Sequence, residues 1–360
     1  MPRLIHCNTY FEFELSGQQC FPLATYLEKM PLILQLQYIP LLFASSEDYL
    51  LVSHMPSDKF IKALHDFLPN PPPQLCTLET LPQADELATW AYSKQWAKWA
   101  QKNQLSYQMP DWECVAKVNS KAFCTKHAQQ LPGSQLIHSK AELDRWVGNQ
   151  KQTFVLKTIY GVASTENITC EPKHIHFSKR QQKLVENEWK LGRPLIAEPW
   201  VERVDDFSSH WRLSNNGTIQ FIAATPIQNT ASGCFINSLY EPDEQRLHKL
   251  LPYLNEHKSH AIKLLELIAK EGYYGPVSFD AMTYVNASRD TKLHPIVEIN
   301  ARQTMALANV LCQHRHFPGK TLRMGYTQDD ADKHLLPSTI ESSSGRVLNL
   351  PKQISLEVVR

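Results

Sequence analysis

Apolar and polar positions alternate between strand-like and helix-like periods along the whole chain, and this pattern predicts a mixed α/β protein. Residues 1 to about 70 predict a small α/β domain, in which the apolar tract at 31–44 forms buried strands. Residues 70–74 contain three consecutive prolines and predict a stiff linker or turn. At 84–102 apolar side chains recur near helical spacing and predict a stripe in the core, formed by Leu87, Trp90, Ala91, Trp96 and Trp99.

Side chains that cap helices mark the element boundaries more clearly from Ser120 onward. Serines at 120, 139 and 178 each precede a helical pattern, and Glu142 is placed to complete a capping box with Ser139. Gly192 suits the position that follows the third helix. The predicted helices run over 120–131, 139–148 and 178–191, and the predicted strands over 153–157 and 194–200.

The next predicted elements are a hairpin, a helix and two more strands. The hairpin pairs 211–213 with 218–224 and turns at the Asn-Asn-Gly sequence between them. The helix spans about 257–271 and ends at Gly272, and its inward stripe is Ile262, Leu265 and Ile268. The two strands lie near 277–284 and 293–299.

Length and composition limit the class of protein. A chain of 360 residues exceeds what one hydrophobic core usually serves, so we expect two or three subdomains that share one cleft. Hydrophobic residues at 42% and charged residues at 20% are typical of a globular protein, not of a disordered or membrane protein. A net charge of +1 gives no sign of a nucleic-acid partner.

The N-terminus and the cysteines indicate the cellular compartment. The first residues lack the basic region, apolar core and cleavage site of a secretory signal, so we expect a cytoplasmic protein. The apolar tract at 31–44 is too short and interrupted for a membrane span, and no membrane partner is expected. Eight cysteines without a CxxC pair indicate reduced core thiols rather than disulfides or zinc ligands.

A polar stripe on an apolar strand is the most informative feature of the chain. Alternate side chains of a strand share one face, so Glu298, Asn300 and Arg302 project together, and Asp280 lies on the preceding strand. Magnesium prefers oxygen donors, and two carboxylates with an amide oxygen form a partial cage for it. The alternative is an edge strand whose polar face is simply solvated.

A strand with Asp280, followed by a strand with Glu-x-Asn-x-Arg, resembles the ATP-grasp superfamily of carboxylate-amine ligases over roughly residues 112–312. The resemblance implies an α/β (α+β) fold with an N-terminal α/β domain and a nucleotide cleft between two subdomains. It divides the chain into an N-terminal domain (1–111), a small lid subdomain (112–200), a metal-binding subdomain (201–335) and a C-terminal extension (336–360).

The resemblance also implies that lysines hold the nucleotide phosphates. Lys157 ends an apolar strand and matches one such position, and Lys117 matches the other, although Lys121 competes for it. For each lysine the alternative is an ammonium group that reaches water from the surface. The phosphate-covering loop that usually follows is poor in glycine here, because 160–165 offers one glycine and the hydroxyls of Ser164 and Thr165.

The segment 195–208 matches the hinge of the family. By that match Glu198 opens the adenine pocket, Trp200 and the main-chain amide of Val201 contact the adenine, and Asp206 holds the ribose hydroxyls. Asp205 is the alternative to Asp206. Without the resemblance, the same segment predicts only a strand followed by an acidic loop.

The implied reaction uses ATP and Mg²⁺ and releases ADP. A substrate carboxylate attacks the γ-phosphorus, and an amine or other nucleophile then displaces phosphate from the acyl phosphate. Lys157 neutralises charge, Arg302 stabilises the acyl phosphate, and Arg212 binds the substrate carboxylate. The expected partners are small-molecule or peptide carboxylates and amines, with a possible homodimer. A small-molecule kinase and an ATP-binding regulatory protein without turnover are the two alternatives.

Other chemical motifs in the sequence are weaker. The polar residues of 228–240 predict a loop that lines the acceptor pocket, with Asn229, Thr230, Ser232, Gly233 and Asn237. The sequence at 318–321 is like the end of a phosphate-binding loop, but the glycine required earlier is replaced by His314. The Cys and His residues at 312–316 fit no usual zinc spacing and predict a helix end or loop. The histidines at 174 and 176 predict a polar strand face.

Overall fold

The computed structural model describes residues 2–17, 23–161, 167–172, 177–231, 233–327, 335–342, 344–351 and 353–359. Within these ranges the strands form a parallel N-terminal sheet, a small antiparallel sheet, a large antiparallel sheet and a two-stranded ribbon. Several residues of the sequence predictions lie outside the described ranges, namely Ser164, Thr165, His174, His176 and Ser232.

The N-terminal sheet has the strand order β3-β2-β1-β4 and is parallel throughout. Its strands are β1 (Arg3–His6), β2 (Tyr49–Leu51), β3 (Gln74–Cys76) and β4 (Glu86–Thr89). The helices are α1 (Phe11–Leu15), α2 (Leu23–Leu27), α3 (Pro31–Leu36), α4 (Asp58–Phe67) and α5 (Lys94–Lys102), with a 3₁₀ helix at Ile39–Leu42. The expected α/β domain is therefore confirmed, since parallel strands need such crossover connections.

Two details of this domain differ from the prediction. The tract at 31–44 forms α3 and the 3₁₀ helix, so the prediction of strands was wrong. Its side chains are buried on all sides, and an apolar run of this length does not distinguish a buried helix from a strand. Pro31, in the first helical turn, needs no N–H partner there. Of the stripe predicted at 84–102, all residues are buried except Trp99, which is partly buried, but they belong to β4, α5 and the connection between them rather than to one helix.

The small sheet is antiparallel and has the strand order β5-β8-β6-β7. Its strands are β5 (Gln135–Ile137), β6 (Phe154–Lys157), β7 (Ile168–Cys170) and β8 (Leu195–Pro199), and its helices are α8 (Lys140–Gly148) and α9 (Lys179–Lys190). The predicted caps are confirmed, because the hydroxyls of Ser139 and Ser178 accept hydrogen bonds from the first helical turn. The capping box predicted for Ser139 was wrong, since the Glu142 carboxylate accepts from His138 N and not from Ser139 N. Gly192 has a φ of +71°, as a glycine after a helix end commonly does.

Two short helices, α6 (Trp112–Val118) and α7 (Lys121–His127), connect the N-terminal sheet to the small sheet. Ser120 caps α7 as predicted, but the helix ends at His127 rather than near 131. Their buried residues, including Val115 and Phe123, belong to the same core as the N-terminal sheet and the large sheet. The start of α7 thus has a fixed position beside the large sheet.

The large sheet is antiparallel and has the order β13-β12-β9-β10-β11-β14-β17. Its edge strand β17 comes from the predicted C-terminal extension, and the predicted domain boundaries stay predictions. The strands are β9 (Glu202–Leu213), β10 (Ile219–Asn229), β11 (Phe235–Tyr240), β12 (Gly275–Val285), β13 (Thr291–Asn300), β14 (Leu322–Thr327) and β17 (Gln353–Val358). The ribbon is β15 (Thr339–Glu341) with β16 (Val347–Asn349), and the helices are α10 (Glu244–Leu250), α11 (Leu254–Lys270) and α12 (Met305–His316).

Helix α11 covers one face of the large sheet and leaves the other face for chemistry. Its inward stripe includes Ala261, Leu265 and Ile268, whereas Ile262 is 40% exposed, so the prediction that Ile262 points inward was wrong. Successive residues of an α-helix are rotated by about 100° around its axis, so Ile262 does not point to the same side as the buried Ala261 before it. The end of the helix at Gly272, with φ +92°, is confirmed.

The sequence also led to expectations about membrane-spanning helices and about the state of the cysteines. In the described part of the chain, no helix has both the length and the apolar character that a bilayer crossing needs. The described cysteines are free thiols, and all of them except Cys234 are buried, as expected for reduced core residues. The expected helix end at 312–316 is confirmed, since α12 ends at His316.

Candidate active site

The predicted metal ligands meet on one face of the large sheet. Asp280 and Glu298 are directly paired in the register of β12 and β13, and paired residues of neighbouring strands point to the same face. The Asn300 amide donates a hydrogen bond to Asp280 Oδ2 at 2.9 Å. Ser208, paired with Asp280 on β9, donates to the other carboxylate oxygen. The sheet register therefore holds two carboxylates and one amide together.

The two carboxylates differ in their ease of ionisation. Burial raises the pKa of Asp280 to about 6, and the negative charge of Glu298 adds to this increase. Burial alone would also raise the pKa of Glu298, but the charge and hydrogen bond of Lys121 hold it below its usual value. Glu298 is thus the readily ionised member of the pair, whereas Asp280 releases its proton near pH 6.

Lys121, and not Lys117, is the lysine that the structure brings to these carboxylates. Lys121 Nζ lies 2.8 Å from Glu298 Oε1 and donates a hydrogen bond to the carbonyl of Gly161 at 3.3 Å. Lys117 pairs instead with Glu271 at 2.5 Å, and its side chain is 51% exposed. The chain turns at Asn119, between α6 and α7, so the two lysines do not share one helical face.

Lys157 and Glu198 form a second charged pair, on the small sheet. Val155 is the register partner of Glu198, so Glu198 and Lys157 point to the same face, and Lys157 Nζ lies 2.5 Å from Glu198 Oε2. The charge of Lys157 contributes to the lowered pKa of Glu298 across the gap between the sheets. Charged side chains of the small and large sheets are therefore near enough to influence one another.

The hinge between the two sheets is short and leaves a main-chain donor free. Trp200 N donates to the Thr153 carbonyl at 2.9 Å and so continues the strand pairing, whereas the N–H of Val201 has no partner among the described residues. A pocket of about 540 Å³ lies beside the hinge. Trp200, Val201 and Asp206 line this pocket, whereas Glu198 and the predicted metal ligands do not.

The structure separates the two candidate acids of the hinge. Asp206 lies two residues before Ser208 on β9 and therefore shares the face that carries Asp280. Asp205 points to the opposite face, where its main-chain and side-chain groups bond to the Thr283 hydroxyl. Of these two acids, only Asp206 thus faces the same side as the Asp280 and Glu298 carboxylates, with Arg203 Nη1 at 3.7 Å from its carboxylate.

The two predicted catalytic arginines lie in different places. The charge of Arg302 acts to lower the pKa values of both Asp280 and Glu298, so its guanidinium lies near enough to influence both carboxylates. Arg212 is exposed, and along β9 it lies four residues from Ser208, which is roughly 13 Å of strand. The structure therefore brings Arg302 to the carboxylates and leaves Arg212 at a distance.

Two residues of this region were not predicted from the sequence. Glu12, on α1 of the N-terminal domain, contacts Arg302 Nη2 through its Oε1 at 2.7 Å. His294 is 3% exposed, and burial lowers its pKa to about 4, an effect that the charge of Glu198 opposes and the charge of Lys157 adds to. No sequence signal relates Glu12 to Arg302. For His294 the following Pro295 was a signal, because proline inside a strand marks an irregular pairing.

The segment predicted as an acceptor loop is mostly strand, so the prediction of a loop was wrong, whereas its role in the acceptor pocket stays a prediction. β10 continues to Asn229 and β11 begins at Phe235, and of the described residues of this segment only 230–231 and 233–234 lie outside the two strands. The turn is closed by hydrogen bonds between Thr230 and Cys234, at 2.8 Å from N to O, and Gly233 has a φ of +84°. Gln228, Asn229 and Thr230 line the pocket beside the hinge.

Comparison with known proteins gives similarity in structure but not in sequence. No family model and no curated protein matches the chain. A pyruvate carboxylase from Rhizobium etli superposes with a TM-score of 0.54 at 10% identity, over 99% of this chain and 35% of that one. An N5-carboxyaminoimidazole synthetase from Staphylococcus aureus, complexed with ADP, gives 0.50 at 9% identity, over 87% of both chains.

A biotin carboxylase from Campylobacter jejuni gives a TM-score of 0.48 at 12% identity, over 71% of this chain and 62% of that one. The chain therefore spans less than two thirds of that enzyme and about a third of the pyruvate carboxylase. Identities this low show the fold alone. The chain has the ATP-grasp fold, in agreement with the prediction from the sequence.

Proposed function

We propose that this protein is an ATP- and Mg²⁺-dependent ligase that activates a substrate carboxylate as an acyl phosphate for attack by an amine or another nucleophile. The observation that carries the proposal is the convergence of Asp280, Glu298 and Asn300 with Lys121 and Arg302 on one face of the large sheet. The ADP complex of the Staphylococcus aureus enzyme, which has the same fold, supports a nucleotide in this cleft.

The residues present fit a magnesium ion. Among the described residues no three His, Cys, Asp or Glu side chains gather into a metal site, so a magnesium ion would rely on the carboxylates of Asp280 and Glu298 and on the amide of Asn300, whose nitrogen donates to Asp280. Mg²⁺ suits such hard oxygen donors and keeps water and phosphate in its remaining positions. When bound, the ion would neutralise charge on the terminal phosphates of the nucleotide.

The nucleotide would lie between the two sheets. Lys121 and Lys157 supply positive charge for the phosphates, and we assign Lys121 to the role that the sequence match gave to Lys117. The free N–H of Val201 suits the adenine edge, Trp200 lines the pocket beside it, and the Asp206 carboxylate suits the ribose hydroxyls. Glu198 holds the Lys157 ammonium on the cleft side of the small sheet.

The chain needs no covalent nucleophile for this reaction. A substrate carboxylate oxygen bonds to the γ-phosphorus while the bond from that phosphorus to ADP breaks. The amine nitrogen then attacks the acyl carbon, phosphate leaves, and the amine proton passes to solvent. Arg302 offers a planar pair of donors for the acyl phosphate oxygens, so its contribution is charge stabilisation and positioning.

Release of ADP in the presence of Mg²⁺ tests the proposal. The purified protein is screened against paired carboxylates and amines, with hydroxylamine added to trap an acyl phosphate as a hydroxamate. Hydroxamate formation that depends on both ATP and the carboxylate supports a ligase. A stable phosphoester in place of the hydroxamate would mean a small-molecule kinase. Nucleotide binding without ADP release across the whole screen would mean a regulatory ATP-binding protein.

A further inference from the structure

The Arg302 guanidinium, which the proposed reaction needs for the substrate, already holds a carboxylate from another domain. Glu12 lies in the first turn of α1, and its carboxylate oxygen is 2.7 Å from Arg302 Nη2. Arg302 also donates through Nη1 to the carbonyl of Gln303 at 3.1 Å. The N-terminal domain therefore places one negative charge beside the reacting end of the cleft.

Both partners of this pair are largely removed from water. The side chain of Glu12 is 11% exposed, and that of Arg302 is 22% exposed. The charge of Glu12 also contributes to a raised pKa of Lys121, so its field extends to the lysine that contacts Glu298. Breaking a buried ion pair by removing one partner is costly, because the other charge stays without compensation.

Two buried oxygen atoms that are close to the pair in sequence have no hydrogen-bond partner among the described residues. They are Thr9 Oγ1, three residues before Glu12, and Gln303 Oε1, directly after Arg302. Buried polar atoms usually have partners, so each of these oxygens can still accept a donor that the described chain does not supply. An ammonium group has three donors and no acceptor, which matches a carboxylate, an amide oxygen and a hydroxyl.

We infer that the substrate carboxylate belongs to a zwitterion, such as an α-amino acid, whose ammonium group binds Glu12 while its carboxylate faces Arg302. The inference rests on the proposed function. A simple anion that took Arg302 would leave the Glu12 carboxylate uncompensated, whereas a zwitterion supplies one charge for each member of the pair. Specificity for a substrate amine would therefore come from the N-terminal domain.

The experiment compares α-amino acids with their des-amino and N-acetyl analogues as substrates for Mg²⁺-dependent ADP release. Glu12→Gln removes the charge, and Glu12→Asp keeps it. Glu271→Gln is the matched control, since it removes the acid of the Lys117 ion pair outside the cluster. We expect wild-type kcat/KM to favour the amino acid by about tenfold or more, in line with one charged hydrogen bond.

The preference should disappear in Glu12→Gln, return in part in Glu12→Asp and persist in Glu271→Gln, with the KM for ATP unchanged in all three. An equal loss of activity on amino acid and analogue in Glu12→Gln would show a merely structural ion pair and overturn the inference. ADP release that favours des-amino acids in the wild type would also overturn it, while the proposed ligase activity would stand. Absence of ADP release with every acid would remove both proposals.

Discussion

Lys121 Nζ and Glu298 Oε1 are 2.8 Å apart, so the first residue of α7 is tied to the strand that carries the proposed metal ligands. The match to the sequence pattern treats the lysine for the nucleotide and the acid for the metal as separate features. The ion pair joins them. Burial would by itself lower the pKa of Lys121, but the charge of Glu298 reverses this effect and raises it. Lys121 therefore stays positively charged inside the cleft.

The first prediction concerns the choice between the two lysines. Lys121→Ala should raise the Kd for the magnesium nucleotide by about tenfold or more, because a charge-assisted contact to phosphate is lost. Lys117→Ala should leave it unchanged, since Lys117 pairs with Glu271 outside the cluster. Isothermal titration of both variants with a non-hydrolysable ATP analogue measures the difference. If Lys117→Ala binds the nucleotide more weakly than Lys121→Ala does, the assignment of Lys121 to the phosphates is wrong.

The second prediction concerns the metal ligands. Glu298→Gln and Asn300→Ala should each abolish Mg²⁺-dependent ADP formation while the far-UV and near-UV circular dichroism of the protein stays unchanged. The physical reason is that Glu298→Gln removes a negative charge and one carboxylate oxygen, and Asn300→Ala removes the amide oxygen, from a set of three proposed ligands. Thr339→Ala, on the exposed ribbon strand β15, is a control expected to keep full activity. Turnover retained in either ligand variant would contradict the metal assignment.

The third prediction concerns pH. Mg²⁺ needs the Asp280 carboxylate in its ionised form, and the pKa of this group is raised to about 6, so magnesium affinity should fall by about tenfold per pH unit below 6. Folding stability depends on pH with the opposite sign, because the Asp280 carboxyl binds its proton more tightly in the folded protein than in the unfolded chain. The metal-free protein should therefore lose stability as pH rises from about 4 to about 6.

Titration of magnesium binding between pH 5 and 8 measures the fall in magnesium affinity. Urea unfolding of the metal-free protein between about pH 4 and 6 measures the loss of stability. Asp280→Asn should bind magnesium weakly at every pH and should lose the decline in stability between pH 4 and 6. A magnesium affinity that is constant through pH 6 in the wild type would contradict the raised pKa of Asp280.

The sequence was sufficient for features that depend on a local period. Asp280 and Glu298 could be placed on one face because strand side chains alternate, and β12 pairs with β13 as adjacent strands often do. The tract at 31–44 could not be assigned correctly, because burial on all sides removes the difference between helical and strand periods. Secondary structure was thus predictable where one face meets water.

Contacts between distant elements were not predictable in the same way. Lys117 and Lys121 are one helical turn apart in sequence, and only the break between α6 and α7 gives them different surroundings. Glu12 meets Arg302 because the N-terminal domain packs on the large sheet through a shared core, and no local pattern encodes that packing. The charged residues of the site were visible in the sequence, but their partners were not.

The last prediction concerns His294, which is buried beside the Glu198–Lys157 pair. Its ring nitrogens make no hydrogen bond of normal geometry, although the Gln129 main chain is near enough to raise its pKa to a small extent. Replacing a poorly satisfied buried ring by an apolar side chain should stabilise the metal-free protein, so His294→Leu should gain about 1 kcal/mol in urea unfolding. If the ring serves the bound nucleotide, the same variant should raise the nucleotide Kd by about tenfold.

His210 provides the matched comparison, because its two ring nitrogens bond to the hydroxyls of Ser278 and Thr225 at 2.9 and 3.1 Å. His210→Leu leaves those hydroxyls unpaired and should destabilise the protein by about 1–3 kcal/mol. Opposite signs of the two stability changes, together with a raised nucleotide Kd in His294→Leu, would show that His294 is held in an unfavourable state for a ligand. A stabilised His294→Leu with unaltered nucleotide affinity would show instead that the ring is a packing defect without a role in binding.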